Sequence, residues 1–139
     1  MDDPTARGGS PPTASSDART GSITRGFLFA DLRGYTQFVE THGAAAAADV
    51  LLRYRDLVRG LVSRHAGAEV RTEGDSFYVV FAAVSDAVQC GLEIVDQARA
   101  ASIERPEAPI AVGIGIHAGE TIETPDGYVG GPVNIAARL

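Results

Sequence analysis

Tryptophan is missing from this sequence, and cysteine occurs once, at Cys90. A single thiol excludes a disulfide framework within the chain and fits a reducing, cytoplasmic compartment. Cys90 sits in an apolar stretch of helical character, so it reads as a small core residue rather than a nucleophile. No apolar run approaches the ~20 residues of a membrane span. The first residues also lack the apolar centre of a signal peptide. Positive charge is in deficit: 12 Lys and Arg face 18 Asp and Glu, for a net charge of −6. An acidic surface repels nucleic acid and anionic lipid, which excludes a general nucleic-acid binder. A nucleotide ligand would need metal ions or local positive groups to offset that charge.

What remains is an ordinary globular mix, 45% hydrophobic and 22% charged over 139 residues, enough for one domain with a modest core. Residues 1–24 contain "GGSPPTASSD" and no periodic apolar face. They read as a disordered tail or linker, because such a segment cannot bury enough surface to offset its ordering entropy. Residues 25–139 read as the domain. "RGFLFADL" is a short buried strand that stops at "RGYT", a glycine turn into a helix. Across 44–66 the apolar positions Ala47, Val50, Leu51, Tyr54, Val58, Leu61 and Val62 recur at helical spacing. Arg53, Asp56, Arg59 and Arg64 take the other face, and Gly67 is the expected stop. "AEVRT" and "SFYVVFAAV" form a hairpin around Glu73, Gly74 and Asp75. A second helix over about 85–101 follows, then the breaker "ERPEAP", a strand over 110–119, an arm with a turn at 125–127, and a helix start at "GPVNIAARL". The order predicts an α/β (α+β) domain: a ferredoxin-like βαββαβ antiparallel sheet with helices on one face.

Three clusters could carry chemistry. Asp31 ends a strand whose face it shares with Phe27 and Phe29. A carboxylate there either caps the next helix or meets a cation, because burying it bare is costly. The turn that follows leads into a helix N-terminus, where free N–H groups favour phosphate. Asp75 lies in the hairpin turn, and the βαββαβ plan brings that hairpin beside the first strand. Either "EGD" is only a turn, or two close carboxylates hold a divalent cation between them, with oxygen ligands suited to Mg²⁺ or Mn²⁺. Asn134 and Arg138, four apart, share a helix face. They are either a surface pair or a grip on a sugar and a developing phosphate charge.

Taken together, "FADLRGYT", "RTEGDSFYVVF", "GIGIHAGE" and "GYVGGPVNIAARL" resemble the successive signatures of class III nucleotidyl (adenylate/guanylate) cyclase catalytic domains of bacterial type, from about residue 26 to 139. The resemblance implies a phosphorus–oxygen lyase that cyclises ATP to 3′,5′-cyclic AMP and pyrophosphate in intracellular signalling. It implies two divalent ions (Mg²⁺ or Mn²⁺) on Asp31, the Leu32 carbonyl and Asp75. Arg33, Gly34, Tyr35 and Thr36 would hold the β- and γ-phosphates. Asn134 would orient the ribose, and Arg138 would stabilise the transition state. It also implies a homodimer with shared sites, the two Asp residues from one subunit and Asn134 and Arg138 from the other. His117 reads as packed rather than catalytic.

The chain departs from the family at the purine selectors. Arg71 stands where adenylate cyclases usually carry Lys, and Gly127 stands where they carry Asp or Thr. Glu73 offers an acceptor two residues beyond Arg71. Gly113 stands where an Arg often precedes the "GIH" motif. Closing elements of the family, including a phosphate-contacting Lys, are absent, so the domain reads as C-terminally incomplete. Two alternatives to an adenylate cyclase stay open: a cyclase that uses GTP or both purines, and a catalytically poor domain that binds nucleotide or a partner for regulation.

Overall fold

The computed structural model describes residues 22–124 and 127–129. Their order is β1 (Ser22–Leu32), α1 (Tyr35–His42), α2 (Ala44–Arg64), β2 (Ala68–Glu73), β3 (Ser76–Phe81), α3 (Val84–Glu104), β4 (Val112–Thr124) and β5 (Gly127–Val129). The strands form one sheet in the order β2-β3-β1-β4-β5, with every described pair antiparallel. This is the expected ferredoxin-like plan extended by an arm. The helix start expected near Asn134 lies outside the described residues, as do residues 1–21.

Period-two alternation along β1 decides which side each residue serves. Leu28, Ala30 and Leu32 join Phe77, Val79 and Phe81 in the core beneath α2 and α3, while Phe27, Phe29 and Asp31 alternate with them onto the other face. Helix α2 buries Ala47, Val50, Tyr54, Val58, Leu61 and Val62, the positions its 3.6-residue period selects. Helix α3 buries Ala87, Cys90, Gly91, Ile94 and Ala98. Burying each large apolar side chain contributes about 1.5–3 kcal/mol, so this one layer carries most of the stabilisation.

Three local expectations are revised. β1 begins at Ser22 rather than at Arg25, because Ser22, Ile23 and Thr24 pair with Ile122, Thr121 and Glu120 of the long β4. β4 itself starts at Val112 rather than at Ile110. The preceding loop is tied to both long helices instead: Ile110 N–H donates to Ser102 Oγ of α3 at 2.9 Å, and Arg53 of α2 donates to the Ala108 carbonyl at 3.0 Å. The residue that stops α2 is Ala66, not Gly67. Ala66 is left-handed at φ 59°, with Ala66 N–H on Ser63 O and Gly67 N–H on Val62 O, a Schellman ending with alanine in the glycine position. Gly67 is small for a different reason: a Cβ there would come within 3 Å of Val79 and Phe81.

Candidate active site

The site is built where β1 ends and the β2–β3 turn meets it. The register Glu73↔Ser76 leaves Gly74 and Asp75 as a two-residue turn. Gly74 takes φ 61°, which only glycine adopts freely. Asp75 Oδ2 accepts the Leu32 N–H at 3.1 Å. The second carboxylate of the sequence reading therefore bonds the peptide immediately after the first.

Helix α2 fixes this turn from below. The Tyr54 hydroxyl donates to the Asp75 carbonyl at 2.8 Å. Arg55 donates to the Gly74 carbonyl through Nε at 3.2 Å and an η-nitrogen at 2.6 Å. Burial first, and then the charges of Asp75 and Asp31, push the Tyr54 hydroxyl well above the ordinary tyrosine range, so it stays a protonated donor. The sequence reading treated Tyr54 as apolar core. Its ring is core, edge-on to Phe77, but its hydroxyl serves the turn.

Asp31 Oδ1 is buried and has no hydrogen-bond partner. It forms an ion pair with Arg33 Nε at 3.3 Å without hydrogen-bond geometry. The Arg33 N–H is taken by the Ala111 carbonyl at 2.7 Å, so the backbone amide of Arg33 is not free for an anion. The first bond of α1 runs from Phe38 N–H to Gly34 O at 3.0 Å. The amides of Tyr35, Thr36 and Gln37 thus precede any intrahelical acceptor. These elements enclose a cleft of about 580 Å³ lined by Leu32, Gly34, Tyr35, Thr36, Gln37, Glu40 and Asp75. Gln37 and Glu40 were missed from sequence. Glu40 stands four residues from Thr36 on α1, a helical spacing that marks it as a neighbour, and Gln37 follows Thr36 directly.

Arg71 faces the other side of the hairpin. A register shift between Glu69 and Arg71 leaves Val70 as a bulge, so Arg71 pairs with Tyr78 and Thr72 with Phe77. Its guanidinium lies 4.9 Å from the Tyr78 ring centre, and Tyr78 in turn packs against Phe29 at 5.2 Å. Without the bulge, Arg71 would share the core face of Phe77. Glu73 is exposed at the end of β2. Gly127 lies in β5, so β3, β1 and β4 stand between its strand and that of Arg71. Asn134 and Arg138 lie outside the described residues. His117 is half-buried on β4, opposite Phe27.

The profile of the adenylate and guanylate cyclase catalytic domain family matches residues 18–138. The chain belongs to this class III cyclase family. Among relatives, this cyclase domain is 27% identical over 113 residues to a putative adenylate cyclase 3 of Rhizobium meliloti, covering 81% of the chain and 19% of the relative. Its fold matches a bacterial light-regulated adenylyl cyclase with a TM-score of 0.74 at 20% identity, covering 85% of this chain and 39% of that one. It matches the guanylyl cyclase Cya2 with a TM-score of 0.68 at 26% identity, covering 85% and 69%. The cyclase domain thus spans about a fifth of the Rhizobium relative and about two fifths of the light-regulated one.

Class III cyclases generally use divalent metals. The donor chemistry here fits one: an aspartate oxygen that is buried without a hydrogen bond, a second carboxylate on the adjacent peptide, and oxygen as the ligand type. Among the described residues no group of three or more His, Cys, Asp or Glu side chains gathers to hold an ion, so the two carboxylates would share it with backbone oxygen and with groups from outside those residues. No described helix is long and apolar enough to cross a membrane.

Proposed function

We propose that the chain is the catalytic domain of a cytoplasmic adenylate cyclase that converts ATP to 3′,5′-cyclic AMP and pyrophosphate. The observation that carries the reading is the Leu32 N–H to Asp75 bond at the mouth of the cleft. Asp31, the Leu32 carbonyl and Asp75 would hold two Mg²⁺ or Mn²⁺ ions. Those ions would acidify the ribose 3′-hydroxyl and neutralise the leaving pyrophosphate. The amides at the start of α1 and the Thr36 hydroxyl would hold the β- and γ-phosphates against the α1 dipole. Arg138 of a second copy would place fixed positive charge where negative charge grows at the α-phosphate, and Asn134 beside it would orient the ribose. Holding the bent triphosphate supplies much of the remaining rate. Arg71, beside the Tyr78 ring, would donate to the purine.

Incubation with Mn²⁺ and either ATP or GTP, followed by quantification of both cyclic nucleotides, tests the reading. Cyclic AMP is expected to exceed cyclic GMP. Asp31→Ala and Asp75→Ala are expected to fall to background while circular dichroism stays native. No product from either triphosphate would leave a nucleotide-binding regulatory domain as the reading. A specific feature favours GTP as the second reading: Glu73 offers an exposed acceptor for guanine N–H groups, while Gly127 offers no side-chain acceptor for the adenine amino group. A larger yield of cyclic GMP would reverse the assignment of base.

A further inference from the structure

Asp31 and Gly113 are direct cross-strand partners on β1 and β4. Arg33 is pinned beside the start of β4 by its N–H bond to Ala111, the residue that precedes the strand. Its side chain folds back across Gly113: a Cβ built there would overlap the Arg33 guanidinium at Nε, Cζ and an η-nitrogen. The bare backbone of Gly113 is therefore the seat on which the guanidinium rests, and from that seat Nε reaches Asp31 Oδ1. That oxygen is buried and has no hydrogen bond, so the arginine is the cation that balances it in this state.

We propose that Arg33 is a built-in counter-ion of Asp31 that a divalent cation must displace, and that Gly113 exists at this position to seat it. This rests on the reading of Asp31 as a cation ligand. An exposed ion pair alone is worth little, and the Arg33 side chain is 65% exposed. The acceptor, however, is sheltered, and charges are screened less there. A cation entering at Asp31 meets a like charge at ion-pair distance and must push it aside. A triphosphate in the adjoining cleft offers the freed guanidinium another anion. Cation and nucleotide would then load cooperatively, and the cation alone would load weakly.

The test measures Mn²⁺ affinity of the full chain without nucleotide, by the electron paramagnetic resonance signal of free Mn²⁺. Arg33→Met removes the counter-ion and is expected to tighten binding about five-fold, the scale of a partly exposed ion pair. Gly113→Ala keeps the charge but evicts it from its seat, and is expected to tighten binding by a similar factor. The double variant should gain no more than either single one, because both act on one contact. Asp31→Asn should weaken binding in every background.

If Asp31→Asn weakens binding but Gly113→Ala leaves the wild-type affinity, the seat has no role and the inference fails while the proposed function stands. The same holds if Arg33→Met leaves affinity unchanged. Arg33 is exposed enough that its variant leaves the core intact, which keeps the result readable if Gly113→Ala folds poorly. If Asp31→Asn binds as wild type does, the cation assignment falls and takes this inference with it.

Discussion

Tyr54 carries the most consequential single atom outside the metal-binding candidates. Its hydroxyl satisfies the Asp75 carbonyl within a turn that has few other supports. Tyr54→Phe keeps the ring against Phe77 and removes the donor, leaving a part-buried carbonyl unpaired. A loss of about 1–3 kcal/mol is expected in urea unfolding. Cyclase kcat/KM should fall by roughly ten-fold or more through misplacement of Asp75. Wild-type turnover in this variant would show that the turn holds itself. Cys90 makes a contrasting case, since it was legible from sequence as core. Burial and then the charge of Glu93 push its thiol up to about 11. The raised value favours the neutral thiol in the folded state, so that contribution is full below the ordinary thiol range near 9 and is lost as pH rises through 11. Native protein at pH 8 is expected to resist thiol reagents and to react promptly once unfolded. Equal rates with and without denaturant would contradict its burial.

At the scale of elements, two irregularities decide what regular pattern could not. The end of α2 places Ala66 in a left-handed conformation. Ala66→Gly is expected to raise stability by about 0.5–1 kcal/mol, relief of backbone strain outweighing the added freedom of the unfolded chain. A thermal melt that falls instead would mean the Ala66 methyl makes contacts worth more than the strain. The bulge at Val70 has a larger effect on function. It turns Arg71 away from the core side and onto Tyr78, and it leaves Gly74 and Asp75 as the tight turn that Leu32 can reach. Strand propensity in "AEVRT" gave no sign of it, because a bulge is fixed by the partner strand and the turn rather than by local preference. The helices were plainer: α2 buries close to the set its period selects, and for α3 only the ends moved.

At the scale of the whole molecule, the cleft opens where β1 ends, between the start of α1 and the β2–β3 turn, while the Asn134–Arg138 pair would act from a second copy. Complementation tests that arrangement. Neither Asp75→Ala nor Arg138→Ala alone should turn over ATP, yet a mixture should regain about a quarter of wild-type activity, because random pairing puts half the chains in heterodimers with one intact composite site each. Silence in mixtures shown by mass to contain heterodimers would count against a shared site.

The sequence by itself determined the class of fold, the buried face of α2 and the candidate chemistry. Those follow from period, turn residues and four motifs in order, all of which are local along the chain. Only the tertiary structure decided that Asp75 bonds the peptide after Asp31, that Tyr54 and Arg55 hold the turn, that Arg71 lies on Tyr78, and that Arg33 rests on Gly113. Each of these joins residues 19 to 80 positions apart or depends on a register shift, and neither distance nor register is written in local preference. They are set when strands pair and a helix packs across them, which is a property of the folded chain as a whole.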